Sequence, residues 1–225
     1  AYGFGSKLAI SEPPPVDRLE ESLDVIPLPN GHPPKRPKEP DWHRVQVVRE
    51  ARDEVALVVH SVVEGYQQTK EGLLIHALEI PWRCIVERLN HDWREAMNIP
   101  PRVWEEMIAA AFDKEGYDEV TLTPRSGDHG RDVIAVRKGV GCVRIIDSVK
   151  AYKPGHLVSH DDVRSLAGVL LGDHRASKGI LSTTSDFAPR IKEDPFLSPL
   201  MPFRLELMNG PALQTWLSNV AKQSR

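Results

Sequence analysis

Downstream of residue 40, apolar residues recur every three or four positions as Val48, Ala51, Val55, Val58, Val62 and Tyr66. At 3.6 residues per turn they form one stripe. Asp41 after Pro40 is a suitable cap, so the spacing predicts a helix over 42–66. The near-heptad repeat also suits a helix–helix dimer contact. A second helix is predicted from about Pro81 to Met97, with Ile85, Leu89 and Trp93 turned to a core. Pro100 and Pro101 interrupt it. Pro101 opens a third helix, VWEEMIAAAFDKEG, whose Trp104, Ile108 and Ala111 share a face and whose stop signal is Gly116.

The period then changes. EVTLTP, RDVIAVR and CVRIIDSVK read as three strands, the last two joined by the glycine-bearing connection KGVG. Ser159-His160-Asp161-Asp162 has capping-box spacing and opens a helix with Val163, Leu166, Ala167 and Leu170 inward. KGILSTTS and PFRLELM add two strands, and GPALQTWLSNV a last helix. Helix, three strands, helix, strand, strand, helix describes a mixed sheet flanked by helices, not a repeating βαβ barrel.

Residues 1–40 differ in composition. SEPPPVDRLEE and GHPPKRPKEP are rich in proline and charge, which predicts an extended arm or linker. The expected organisation is thus 1–40 arm, 41–98 helical region and 99–225 α/β domain. The 225 residues carry a formal charge of −3, so no global basic excess announces nucleic acid and any such surface must be local. Cys84 and Cys142 have no metal spacing and read as reduced thiols. No membrane span or secretion signal is visible, which makes the cytoplasm the expected location. The first residue is not Met, as in a fragment or processed chain.

On the third strand Ile146, Ser148 and Lys150 share one face, and Ile145, Asp147 and Val149 the other. A lysine closing an apolar strand is ordinarily a snorkelling edge residue. Upstream, SGDHGRDV carries Asp128 and Asp132 around Gly130, ordinarily a polar turn. A hairpin between the two strands would set Asp132 across from Lys150. A carboxylate beside a strand-end lysine can hold Mg²⁺ and position water, while the ammonium offsets charge on a phosphate.

The string PRSGDHGRDVIAVRKGVG…VRIIDSVKAYKPG…VRSLAGVLLGD…ASKGILSTTSDFAP resembles the Mrr-type restriction endonucleases of the PD-(D/E)xK superfamily over roughly residues 101–217. The resemblance implies an α/β restriction-endonuclease-like core and Mg²⁺-dependent cleavage of double-stranded DNA, with Mn²⁺ as a substitute. Foreign or modified DNA is the implied target. Asp132 matches the metal-binding aspartate, Lys150 the catalytic lysine and Asp128 the first acid of the Asp-Gly-Gly-x-Asp turn. Glu105 matches a helix glutamate that completes the metal site. Arg131 and Lys153 flank these residues and are the expected DNA contacts, each adding salt sensitivity.

Ser148 departs from the pattern, since Glu, Asp or Gln is expected there and a serine hydroxyl is a poor Mg²⁺ ligand. Asp147 would need a bulge to reach the same face. Three readings stand: an active enzyme with water in the vacancy, a weakened one, or a DNA-binding module that keeps only the fold. A structure-specific repair or recombination nuclease is a further alternative. Cutting two strands needs two sites, so a homodimer is expected.

Overall fold

The computed structural model describes residues 46–49, 55–58, 61–124 and 130–223. Where one helix was expected over 42–66, the described residues form strands: β1 (Gln46–Arg49) paired antiparallel with β2 (Val55–Val58), then β3 (Val63–Gln68). The correction has a physical cause. Val47, Val48, Val55, Val58 and Val63 are β-branched, stiff at χ1 and better placed on a pleated surface than in a helix. Among the described residues of this segment, no helix forms to make the expected dimer contact.

β3 begins a seven-stranded sheet in strict chain order, completed by β4 (Leu73–Ala77), β5 (Glu119–Leu122), β6 (Val133–Arg137), β7 (Val143–Lys150), β8 (Lys178–Thr183) and β9 (Leu205–Met208). Neighbours are antiparallel from β3 to β7 and parallel from β7 to β9. The mixed sheet expected from the pattern is present. Its extent is larger, because β3 and β4 join it through Leu73–Leu122 and Leu74–Thr121 pairing. A boundary at residue 98 therefore does not divide the core. Gly72 makes this junction possible: at φ 149°, a Cβ there would lie 2.1 Å from the Leu122 carbonyl oxygen.

One sheet face carries α1 (Glu79–His91), α2 (Pro101–Lys114) and α4 (Gly210–Gln223), packed on Val133, Ala135, Ile145 and Ile180. α2 is apolar almost all round, from Val103 to Phe112, as a helix covered on several sides should be. Its Trp104 donates to the Ala96 carbonyl at 3.2 Å, and Trp82 of α1 donates to the Met107 carbonyl at 3.0 Å. The predicted second helix stops at His91 and continues as a 3-10 turn, Trp93–Asn98, capped by Asp92. The other face carries α3 (His160–Gly172), over Ile134, Ile146, Leu181 and Leu205. Ser159 and Asp162 form the capping box that the sequence predicts. Each fully buried side chain such as Ile146 or Leu181 stabilises by about 1.5–3 kcal/mol.

Because Val62, Ile75, Trp82, Ile85 and Leu89 lie in the same core as α2 and α4, a chain beginning at residue 99 should show no cooperative urea transition. A chain beginning at residue 61 should retain one. Cooperative unfolding of 99–225 alone would restore the boundary at 98.

Candidate active site

β6 is five residues long and β7 eight, so β7 outruns its antiparallel neighbour and its last residues pair only with β8. The fork so created is where the chemistry-bearing residues gather. Val133 pairs with Asp147, and one further step puts Asp132 level with Ser148. The expected pairing of Asp132 with Lys150 is thus two residues out. The Asp132 amide donates to the Asp147 carbonyl at 2.9 Å, and its carboxylate Oδ2 accepts from the Val149 amide at 2.6 Å. Thr123, just past β5, donates its amide to the Asp132 carbonyl at 3.1 Å and its hydroxyl to that of Arg131 at 2.5 Å.

Ser148 and Lys150 share the α3 face with Ile146, and β7 runs without a bulge. Ser148 is 5% exposed and Lys150 half-buried. Asp147 therefore keeps to the opposite face, fully buried. Its Oδ2 accepts from the Ser182 hydroxyl at 3.0 Å, and Oδ1 has no hydrogen-bond partner among the described residues. Burial pushes this carboxyl well above its ordinary range; the Ser182 bond opposes that, and the negative charge of Asp132 reinforces it. On the α3 side, burial would raise Asp162, but bonds from Ser159 and the charges of Lys150 and His156 hold it below its ordinary value.

Glu105 stands on α2, so it approaches from the face opposite Ser148 and Lys150. Arg102 binds it at 2.5 Å and also donates to the Thr123 carbonyl at 3.1 Å, which brings the pair to the end of β5 beside Asp132. Asp128 and His129 lie outside the described residues. Lys153 is exposed in the turn after β7. Arg131, an expected DNA contact, has ion-pair partners within the protein. Its guanidinium is tied to Asp173 at 3.3 Å and Glu71 at 4.0 Å. The same acids bind Arg144, at 2.8 Å from Glu71 and 3.4 Å from Asp173, and Arg175, at 2.6 Å from Glu71. No local signal marks this network, whose members come from the β3–β4 turn, the residues before β6, the start of β7 and the end of α3.

The donors among the described residues do not by themselves complete a divalent-cation centre. Two carboxylates, Asp132 and Glu105, approach the fork, but neutral Ser148 stands where a third oxygen ligand is expected. No group of three His, Cys, Asp or Glu side chains suited to a metal forms among the described residues.

The family model for the Mrr-type catalytic domain, described as restriction endonuclease, matches residues 96–217, more than half of the chain. This chain belongs to the Mrr-type restriction endonuclease family. No curated protein matches it. Among solved structures, the MspJI restriction endonuclease in complex with a 27-mer oligonucleotide is 16% identical, with 64% of this chain and 34% of that one covered and a TM-score of 0.37. The DNA modification-dependent restriction endonuclease AspBHI is 14% identical over 77% of this chain and 47% of that one, at a TM-score of 0.38. A protein of unknown function, AF1548, is 14% identical over 49% and 58%, at 0.39. The chain thus spans between a third and three fifths of the lengths of these structures. At such scores the superpositions add no weight to the family match.

The arginine–carboxylate network of this Mrr-type chain has a measurable pH signature. Partial burial would raise the Glu71 carboxyl, but hydrogen bonds and charge from Arg144 and Arg175 hold it below its ordinary value. An acid with a depressed folded pKa contributes stability above its unfolded pKa, about 4.3, and loses it as pH falls through the folded value. Glu71→Gln should therefore cost about 1–3 kcal/mol at pH 7, and the difference from wild type should shrink towards pH 3. Urea titrations across that range check it; an equal cost at both ends would contradict it.

Proposed function

We propose that this chain hydrolyses phosphodiester bonds of double-stranded DNA, in restriction of foreign or modified DNA. The observation that supports this reading best is the fork itself: a family match over the domain, with Asp132 just before β6 and Lys150 closing β7 at one sheet end. An ammonium at Lys150 offsets charge that builds on a phosphate oxygen during attack by water, where its weight exceeds that in bulk solvent. Asp132, pinned by the Val149 amide, supplies a fixed negative charge at the same place. Exposed Lys153 is the proposed phosphate contact.

Members of this family generally use divalent metals. Mg²⁺, or Mn²⁺ in its place, is the proposed cofactor, with Asp132 and Glu105 as its carboxylate donors. Such an ion would supply charge neutralisation and acidify water. Cleavage of both strands calls for two sites, so a homodimer is the proposed working form. Among the described residues no helix is long and apolar enough to cross a membrane, and the proposed site of action is the cytoplasm.

A second reading is favoured by Ser148. A neutral, 5% exposed serine in a ligand position suits a domain that binds DNA without cutting it. Plasmid and linear-duplex cleavage with Mg²⁺ or Mn²⁺ separates the two. Asp132→Ala and Lys150→Ala should each slow cutting by about 100-fold or more, with DNA retention in gel shifts preserved. Retention with no cutting by the wild type would support the binding module. Preferential cutting of a four-way junction would move the substrate to branched DNA.

A further inference from the structure

The hydroxyls of Ser182, Thr183 and Thr184 at the end of β8 fall where a phosphate contact could be sought, yet the structure turns them inward. Thr183 is fully buried and pairs with Lys150 in the parallel β7–β8 register. Its Oγ1 donates to the Lys150 carbonyl at 2.8 Å and accepts from the Ser185 amide at 3.2 Å. The same carbonyl accepts from the Tyr152 amide at 2.9 Å and the Thr184 amide at 3.3 Å. Thr184 Oγ1 donates to the Tyr152 carbonyl at 2.8 Å. Three donors on one carbonyl exceed what ending a strand requires.

Lysine carries four rotatable side-chain bonds, so its ammonium is placed only as well as its backbone is fixed. β6 gives no support here, because it has ended. We infer that Thr183 is a positioning residue for Lys150: its buried hydroxyl sets the exit of β7 and with it where the ammonium stands at the fork. Thr183 touches neither substrate nor metal and acts only through Lys150. The catalytic consequence rests on the nuclease reading above; the positional one does not.

Thr183→Val keeps the β-branched shape that suits a strand and leaves the two amide donors on the Lys150 carbonyl, so the fold should persist. Thr183→Ser keeps the hydroxyl. In the full chain, Thr183→Val should lower kcat for duplex cleavage about tenfold with KM unchanged, and Thr183→Ser should restore kcat to within about threefold of wild type. The second readout does not need cleavage. In protein with ¹³C-dimethylated lysines, the Lys150 signal, assigned by its loss in Lys150→Arg, should shift and broaden in Thr183→Val and match wild type in Thr183→Ser. A moved signal in a chain that cuts no DNA would support the positioning role and remove the nuclease reading. An unmoved signal, or an unchanged kcat in an active chain, would overturn the inference.

Discussion

A hydrogen bond of 2.6 Å from the Val149 amide to the Asp132 carboxylate closes the open end of the β6–β7 ladder. β6 starts two residues too late to offer that amide a strand partner, and a half-buried backbone donor left unpaired costs about 1–3 kcal/mol. Asp132 supplies the acceptor from its side chain, and so is fixed at the fork by the same need that keeps the sheet intact. Its neighbour across the ladder, Asp147, is fully buried in the core and bonded through Ser182. Burial pushes the Asp147 carboxyl towards its neutral form, and the negative charge of Asp132 reinforces that shift.

The fork also settles which side each candidate works from. Strand alternation, unbroken along β7, sends Ser148 and Lys150 to the α3 face and Asp147 to the face of α1, α2 and α4. Glu105 approaches from the α2 side, held by Arg102. Asp132, at the strand end and bonded in the plane of the sheet, is where the two sides meet. A divalent ion placed there would find one carboxylate already tied to the backbone, another paired with an arginine, and a hydroxyl in place of the remaining ligand. Among the described residues, Lys150 and Asp132 are kept at the fork while Ser148 leaves the ligand set short.

Much of this was legible in the sequence wherever the signal is local. The third strand, the alternation that separates Asp147 from Ser148, the Ser159–Asp162 capping box and the proline-opened helix α2 all depend on residues a few positions apart. The register was not. That β7 runs past β6 depends on where the 123–132 connection rejoins the sheet, and no residue pattern announces it. The strands β1 to β3 were hidden for another reason: valines spaced three and four apart satisfy a helical stripe as well as they suit short strands. Arg131 has ion-pair partners that local spacing does not announce. It precedes the key aspartate, yet Asp173 and Glu71, 42 and 60 residues away by number, claim its guanidinium.

If this fork is the nuclease site proposed above, Ser148 leaves it short of one ligand. The most direct measurement is the rate of duplex cleavage against Mg²⁺ concentration for the wild type and Ser148→Gln. An amide oxygen in that position should raise the maximal rate and lower the Mg²⁺ concentration needed for half of it. If Ser148→Gln folds, binds DNA and still cleaves no faster than the wild type at any Mg²⁺ concentration, the account of the missing ligand is wrong.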